Sequence, residues 1–596
     1  MGEARAKAKG ERSHPQSAAL MPPWWLRGAD RLFAIDLRSL ALLRVLLAAL
    51  VLADLVGRAG DLAAHYTDSG ILPRAALLAR DPANWSPHFS VHMLTGTEAG
   101  EAAWFVLAAL WAVALLVGYR TPISTVATWY LLSSVQLRNP LILNSADDLL
   151  RMLLFWGMFL PLGARGSLDA RTGHGPSLPP LQPRFLSVGS AALLLQVGFL
   201  YWFAVASKTD PSWHVDGTAV YYALSIDLYA TPVGQFLLNV PQLLQVMTWM
   251  TLWMEAGGPT LAFLLPFPRV RLALVLAFFT FHLVLLNATL DLGAFHYVSA
   301  VAWVPFLPTQ FWDWAERGAG RYLPRRRAAA APLVSLSGGT EAQAARVAER
   351  EWVLASQSPP AEPVLRRYRF NWRAILLNTV AGLLLVYIFL WNFRATGNRW
   401  GPRLLPYSLN RVAQVTHVDQ GWQMFAPKPL TEDGWFVYPA KLRDGTTLDL
   451  FRGESTLGKP IRWEKPDILV SHEFKNERWR RYEMNLWARI YSDQRPVYCR
   501  YLCREWNKTH TGQKRLSSLQ LYYVIEETLT DYVQATSLPR IMIDWKCDEG
   551  HNAGAGRNQA SKSAGDIDAS GRVGSDRNPS DHRGLRQKEG QSAPTP

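Results

Sequence analysis

A lysine that ends a long apolar run is the residue of this sequence best suited to chemistry. The run extends from Phe185 to Ser207, and Lys208 follows it directly. An amine at the end of a bilayer helix is costly to desolvate, and its pKa shifts readily when it is buried. A lysine that loses its proton near neutral pH can act as a base. The competing interpretation is a lysine that ends the helix and extends its ammonium group to the interface.

Other side chains with acid–base or hydrogen-bonding chemistry accompany the apolar runs. The predicted catalytic residues are Lys208, Asp147 and Asp148, and the predicted binding residues are Asp210, Trp213, His214, His282, Asn287 and His296. Aspartates at the start of a helix, with an arginine one turn later, are also ordinary capping groups. A buried histidine is commonly a hydrogen-bonded packing residue. The spacing of the histidines, cysteines and acids predicts no metal site.

Two ionisable residues lie inside apolar runs. Glu255 and His282 are each surrounded by long stretches of apolar sequence. Ionisable side chains within a bilayer are costly, and those that occur are usually paired or functional. We therefore expect both residues to have a partner or a role in the site.

The composition is typical of an integral membrane protein. The chain has 596 residues, of which 49% are hydrophobic and 18% are charged, and it contains 25 tryptophans. The net charge of +14 indicates basic loops beside anionic lipid rather than binding to nucleic acid. Its cysteines are Cys499, Cys503 and Cys547, and their spacing forces no disulfide framework. The basic N-terminal segment lacks the pattern of a cleavable signal.

Apolar runs of near-bilayer length predict about nine transmembrane helices. The predicted spans are Leu40–Val56, Ala102–Val117, Pro122–Leu137, Leu149–Leu162, Phe185–Ser207, Leu243–Leu265, Leu272–Leu286, Phe295–Leu307 and Ile375–Trp391. Several of these runs are short, so some could merge or enter the membrane without crossing it.

Basic residues predict the orientation of the chain in the cell membrane. Arginines and lysines are frequent before the first span and after each even-numbered span, and such loops stay in the cytoplasm. The N-terminus is therefore predicted inside, and the region after the last span is predicted outside. In this topology the polar groups near Asn144, Lys208 and Asp291 all lie on the outer side, so a site would open outward.

The predicted fold is an all-α polytopic membrane protein with a small α+β extramembrane domain at its C-terminal end. The predicted segments are a basic cytoplasmic segment (1–31), a transmembrane domain (32–316), a polar cytoplasmic loop (317–373), the last span (374–393), an extracytoplasmic α+β domain (394–548) and a disordered tail (549–596). A β-hairpin with a turn at Asp444–Gly445 is predicted in the extracytoplasmic domain, from alternating residues on both sides of that turn.

Several motifs resemble known membrane families. The stretch Ala206–Trp213 resembles the lysine motif of vitamin K-dependent γ-glutamyl carboxylase, and Phe281–Asn287 and Phe306–Trp312 resemble that family's later spans. Motifs that resemble the wider HTTM (horizontally transferred transmembrane) family lie at Asp36–Arg44, Tyr66–Pro73 and Phe159–Gly163. The resemblance covers roughly Leu32 to Trp314, and Trp422–Pro427 resembles the extension of bacterial HTTM proteins.

The resemblance implies a role for Lys208. In the carboxylase family the matching lysine is the base that deprotonates vitamin K hydroquinone, on the lumenal side of the membrane. The oxygenated quinone then abstracts a proton from glutamate, and carbon dioxide adds. The resemblance therefore implies a quinone, such as a vitamin K-like hydroquinone, as cofactor. The family's catalytic histidine corresponds to Ala146 in this sequence. We therefore expect no vitamin K-dependent carboxylation of glutamate.

The function predicted from the sequence is that of an HTTM-domain, carboxylase-like membrane enzyme. It would use Lys208 as a base on a quinone-like or lipophilic substrate, as a lyase or a quinone-dependent enzyme. The alternative is a non-catalytic binding or transport protein with the same helical cavity. A transporter commonly contains internal repeats, and the sequence shows no such duplication. The expected partners are membrane lipid and a lipophilic small molecule or quinone, without nucleic acid.

Overall fold

The computed structural model describes residues 24–173, 183–322, 372–529 and 537–547. Most of the predicted N-terminal segment and of the 317–373 loop, and the whole predicted tail, lie outside these residues.

Within the described residues, five helices are long and apolar enough to cross a membrane. They are Leu37–Ala59, Glu98–Val117, Val188–Ser207, Pro268–Thr289 and Trp372–Ala395. The helix Val188–Ser207, here called the lysine helix, is the most enclosed, because 72% of its apolar window is buried inside the protein. A helix enclosed by other helices can hold a charged residue that lipid would not tolerate.

Helices also occur at the four other positions where spans are predicted. They are Thr121–Arg138, Ser145–Gly157, Pro241–Leu264 and Phe295–Ala302. The helix Ser145–Gly157 has 13 residues and Phe295–Ala302 has 8, which correspond to about 20 and 12 Å at the α-helical rise of 1.5 Å per residue. Neither is long enough to cross about 30 Å of hydrocarbon as a single helix.

Shorter elements connect the long helices. These are Trp24–Phe33, Leu62–Tyr66, Arg74–Arg80, Leu168–Thr172, Pro211–His214, Ala219–Ser225, Pro232–Leu237, Thr309–Tyr322, Gly401–Leu404 and Asn410–Thr416. Two short strands, β1 (Ile35–Asp36) and β2 (Arg184–Phe185), pair antiparallel. They join the start of the first long helix to the segment that leads into the lysine helix.

A five-stranded antiparallel sheet forms the C-terminal part of the fold. Its strands are β3 (Glu432–Val437), β4 (Pro439–Leu442), β5 (Thr447–Asp449), β6 (Leu516–Glu527) and β7 (Leu538–Lys546). The long strand β6 pairs with β3 and β4 in succession along one edge and with β7 along the other. The strands β4 and β5 form the hairpin predicted around Asp444 and Gly445. Gly445 has a φ of 87°, which glycine adopts without a steric penalty.

Two helices pack with this sheet. The helix Arg495–Thr509 carries Cys503, which forms a disulfide with Cys547 just after β7. Cys499, one turn earlier, is a buried free thiol. The helix Glu477–Trp487, here called the docking helix, contacts the loops of the membrane helices through its polar side chains. All described residues belong to one compact unit, which ends at Cys547.

Candidate functional site

Lys208 lies at the point where the lysine helix ends. The helix begins with a capping box, in which Ser187 and Ser190 each donate a backbone N–H to the other's hydroxyl, at 2.9 and 3.1 Å. It ends because Lys208 has non-helical dihedrals, φ −81° and ψ 77°. The side chain of Lys208 is only 2% exposed, so its ammonium group does not extend to water in the structure.

The ammonium group of Lys208 has a single carboxylate partner among the described residues. Its Nζ donates to Oε2 of Glu255 at 2.7 Å. Glu255 lies on the helix Pro241–Leu264, and its side chain is 11% exposed. The Nζ atom also lies 5.0 Å from the centre of the Trp213 ring, which is within the range of a cation–π contact. The predicted binding residue Trp213 thus covers the ion pair.

The acids closest to Lys208 in the sequence do not pair with it. Asp210 caps the next short helix, because its Oδ1 accepts the Ser212 N–H at 3.0 Å. Asp216 is exposed. His214 uses its Nε2 to donate to the backbone carbonyl of Lys208. These residues therefore shape the turn after the lysine and leave its ammonium group to Glu255.

A hydrogen-bonded chain of three side chains lies beside this ion pair. The indole N–H of Trp303 donates to the hydroxyl of Tyr201 at 3.1 Å, and that hydroxyl contacts Nε2 of His282 at 2.8 Å. Both hydrogen bonds form when the Tyr201 hydroxyl accepts from Trp303 and donates to Nε2. The proton of neutral His282 is then on Nδ1. Nδ1 is buried without a hydrogen-bond partner. Tyr201 and Lys208 lie two helical turns apart on one face of the lysine helix, so the chain and the ion pair are neighbours.

His282 occupies an unusual backbone segment. Residues Phe281–Leu286 form a π-helical turn inside the helix Pro268–Thr289. Such turns interrupt α-helices and are frequent at functional sites. His296 lies close enough to interact electrostatically with His282, and its Nε2 donates to the carbonyl of Leu290 at 3.0 Å. Asn287, by contrast, is exposed and separate from this group.

Asp147 belongs to a second, distinct cluster of charges. Its carboxylate accepts hydrogen bonds from Arg58 at 2.5 Å and from Arg478 at 2.6 and 3.0 Å. Asp54 completes the cluster by pairing with Arg58 at 2.7 Å and with Arg478 at 2.8 Å. Burial disfavours the ionised form of Asp147, but the guanidinium groups hold its pKa below the usual value. Asp147 is therefore suited to holding the docking helix in place, because Arg478 lies on that helix.

Asp148 also contacts an arginine rather than the lysine. Arg151 donates to Oδ1 of Asp148 at 3.0 Å and to Oε1 of Gln136 at 3.1 Å. It also donates to the carbonyl of Asp419 at 2.5 Å, which ties this helix to the C-terminal part of the chain. The structure thus brings Lys208, Trp213, His282 and His296 into one region, and it places both aspartates in arginine networks.

A cavity of about 380 Å³ lies between the loop at Asn144, the segment that follows Trp422 and the start of the docking helix. Phe425 and Phe295 line it. The carbonyl of Phe425 accepts the indole N–H of Trp213 at 3.1 Å, and the Phe295 ring lies 5.9 Å from that of His282. The cavity wall therefore contacts residues of both the ion pair and the histidine chain.

Another cavity, of about 870 Å³, is lined mainly by apolar side chains near Phe267 and Trp314 and contains none of the predicted site residues.

Comparisons with family models, curated proteins and solved structures find no match to this chain. The site therefore has to be interpreted from its own residues. Glu255 is absent from the residues predicted for the site, although its position inside an apolar run was a signal. Tyr201 is absent as well, although a residue two helical turns before Lys208 shares a face of the lysine helix with it. Nothing in the spacing of Arg478 pointed to Asp147.

Proposed function

We propose that this protein is an HTTM-like, carboxylase-like membrane enzyme in which the Lys208–Glu255 pair accepts a proton from a lipophilic substrate with an acidic hydroxyl, such as a hydroquinone. The observation that carries the proposal is the enclosed ion pair, with Nζ and Oε2 at 2.7 Å and the lysine side chain 2% exposed. The attraction between two opposite charges in a protein interior offsets only part of the free energy needed to remove both charges from water. The hydrogen bond between Nζ and Oε2 gives the ammonium proton a direct path to Glu255, which would leave a neutral lysine amine.

The choice of lysine at this position supports the proposal. Lys208 is the only lysine between Lys9 and Lys428, whereas arginine supplies the other cationic side chains of this long region. Arginine stays protonated in proteins, while the amine of lysine can exchange its proton. Arginine could therefore serve equally well as a purely structural cation, but it could not serve as a group that must release its proton.

The proton balance of the proposed step is simple. In the reacting form of the pair, the shared proton is on Oε2 of Glu255 and Nζ of Lys208 is a neutral amine. The amine takes the proton of the substrate hydroxyl, so the products are a lysine ammonium, a protonated Glu255 and a substrate anion beside the ammonium. The Trp213 ring lies 5.0 Å from Nζ, where it can contact the ammonium by a cation–π interaction.

The proposal includes a topology. We place the N-terminus inside, the C-terminal sheet outside and about nine spans in the membrane, where the two short helices would cross with the help of their flanking turns. The disulfide between Cys503 and Cys547 supports an outer location for the sheet, because disulfides persist in oxidising compartments. Membrane lipid and a quinone-like molecule are the proposed partners.

A non-catalytic binding or transport protein is the second candidate function. The cavity of about 380 Å³ favours it, because this volume is sufficient for a small ligand and needs no chemistry at Lys208. The two functions differ in whether the ammonium group must be able to lose its proton.

Substitution of Lys208 tests the proposed function. A hydroquinone that has lost a proton reacts faster with oxygen, so we expect purified protein to accelerate oxygen uptake by a short-chain naphthohydroquinone. Lys208→Arg and Lys208→Ala should each lower this rate by at least about a hundredfold, which is the usual contribution of a general base. Glu255→Gln should also lower it.

The matched control is Lys459→Arg, because Lys459 is an exposed lysine remote in sequence from the site. It should leave the rate unchanged. Both Lys208 variants must also elute as folded protein in size-exclusion chromatography. Wild-type activity in the arginine variant would rule out Lys208 as the base and would favour the binding function.

A further inference from the structure

The lining of the cavity of about 380 Å³ combines two kinds of side chain. Charged side chains come from Lys428, Arg480, Arg481 and Glu477. Apolar side chains come from Ile226, Leu292, Phe295, Met424, Phe425 and Leu430. This mixed lining suits an amphiphile better than a uniformly polar or uniformly apolar molecule, because such a ligand has one part for each kind of contact.

Cations outnumber acids among the charged residues that line the cavity. Arg480 is held by Asp291, with one guanidinium nitrogen 2.7 Å from Oδ2 and the other 2.8 Å from the carbonyl. Arg481 donates through Nε to the carbonyl of Leu143 at 3.0 Å, and it has no carboxylate partner within the described residues. Its two terminal nitrogens are the ones suited to a bidentate contact with an anion.

Two further residues set the charge of the cavity. Lys428 is exposed and forms no ion pair within the described part of the chain. The one acid lining the cavity, Glu477, accepts a hydrogen bond from Nδ2 of Asn144 at 3.1 Å. Burial raises the pKa of Glu477, and its Oε1 also lies 3.8 Å from Nε of Arg478. Arg481 and Lys428 are therefore available for a negatively charged ligand.

We propose that this cavity binds the carboxylate or phosphate head group of an amphiphile, with Arg481 and Lys428 contacting the head group and the apolar lining residues contacting the chain. Arg481 suits either anion, because the guanidinium fork matches two oxygens of both groups. The inference goes beyond the proposed proton transfer, because binding in this cavity does not require Lys208 to act as a base.

Calorimetric titration of the purified full-length protein in a neutral maltoside detergent tests the inference. The probes are octyl phosphate, octanoate, octyl glucoside and inorganic phosphate, and titration into empty micelles gives the blank. Octyl phosphate and octanoate should bind at one site. Octyl glucoside, which has the same chain without a charge, and inorganic phosphate, which has the charge without a chain, should each bind at least tenfold more weakly.

Variants locate the binding. Arg481→Gln should weaken octyl phosphate binding at least tenfold, and Lys428→Gln should weaken it by a smaller factor. The matched control is Arg462→Gln, because Arg462 is an exposed arginine of the same C-terminal part, 67% exposed and paired with Asp467. That variant should bind like wild type.

Three results would overturn the inference. Undiminished binding to Arg481→Gln would exclude the assigned cation, and equal binding of octyl glucoside would exclude a role for the charge. Equally tight binding of inorganic phosphate would show a site for free anions and exclude the amphiphile. The Lys208→Arg variant separates this inference from the proposed function, since it should lose the proton-transfer activity and keep the binding of octyl phosphate.

Discussion

Lys208 and Glu255 form a largely buried ion pair, and such a pair stabilises a fold weakly at best. The desolvation of two charges offsets most of their attraction, so well-packed apolar residues would often serve stability equally well. Nζ and Oε2 nevertheless lie 2.7 Å apart within a helix bundle. A pair retained at such a cost is consistent with a chemical role, and the neighbouring Tyr201 and His282 extend the set of groups that can exchange protons.

The sequence allowed only part of this site to be predicted. Lys208 was recognisable because an apolar run stops at it, and His282 because it interrupts another run. The partner of Lys208 was not recognisable, because Asp210 and Asp216 are much nearer to Lys208 in sequence than Glu255 is. Local capping holds Asp210, while helix packing brings Glu255 to the ammonium group. Pairings between distant helices depend on packing geometry that residue spacing does not contain.

A buried glutamate in the docking helix should make stability depend on pH. Glu483 is 2% exposed and accepts hydrogen bonds from the hydroxyls of Tyr438 and Tyr498. Burial raises its pKa from 4.5 to about 7. The contribution of Glu483 to the free energy of unfolding is therefore fully present below pH 4.5 and is lost as pH rises through 7. The loss should reach about 3 kcal/mol, from 1.36 kcal/mol per pKa unit.

Glu483→Gln should remove this dependence. We expect the melting temperature of wild type in detergent to fall more between pH 4.5 and 8 than that of the glutamine variant. Glu505→Gln, at a glutamate whose side chain is 36% exposed and pairs with Lys508, is the control and should follow wild type. Identical slopes for wild type and Glu483→Gln would contradict the prediction.

At the scale of elements, apolar runs predicted the positions of the long helices well. The length of an apolar run was a poorer guide to the length of the helix where glycine or proline lies near the end of the run. The predicted span Leu149–Leu162 ends as a helix at Gly157, and the predicted span Phe295–Leu307 leaves the α-helix at Ala302, before Pro305. Pro161 and Pro305 lie a few residues beyond these two ends, and proline lacks the N–H that a further helical turn would need.

The C-terminal sheet was predicted in part. The hairpin at Asp444–Gly445 was identifiable because the turn type requires such residues, and β7 was missed. Strand β6 at Leu516–Glu527 was recognisable from its β-branched and aromatic residues. The arrangement of β3, β4 and β7 around β6 depends on contacts between distant segments, which the sequence does not specify.

The docking helix is expected to depend on Arg478. Removing one member of a buried charge cluster leaves the others unpaired and typically costs about 3–5 kcal/mol. Arg478→Ala would leave Asp147 and Asp54 opposite Arg58 alone, so we expect a large decrease in melting temperature. Limited proteolysis should also cut near residue 477 in the variant sooner than in wild type, because the helix would lose its anchor on the membrane helices.

Arg462→Ala provides the matched control for this effect. Arg462 pairs with Asp467 at 3.3 Å, and both side chains are largely exposed, at 67% and 82%. Exposed ion pairs contribute roughly 0–1 kcal/mol, so this variant should melt near wild type. A melting temperature of Arg478→Ala equal to that of the control would show that the cluster does not hold the docking helix.

At the scale of the whole molecule, the membrane helices and the C-terminal sheet share polar contacts on one side. The docking helix contributes Arg478, which binds Asp147 in the first turn of the helix Ser145–Gly157, and Arg480, which binds Asp291 in a loop. Lys475, just before it, pairs with Asp61 at 2.5 Å. Contacts of this kind are possible only if the loops and the sheet lie on the same side of the membrane. The side of the membrane on which the sheet lies therefore decides the side on which the proposed cavity opens.

Accessibility labelling should place that side outside the cell. We expect an impermeant maleimide to label Ser455→Cys, an exposed position in the C-terminal part, on intact cells or spheroplasts. Arg326→Cys, in the predicted cytoplasmic loop, should react only after lysis. Native Cys499 is buried, and Cys503 and Cys547 are joined, so background labelling should appear only after reduction and unfolding. Labelling of Arg326→Cys on intact cells without labelling of Ser455→Cys would invert the topology and place the cavity on the cytoplasmic side.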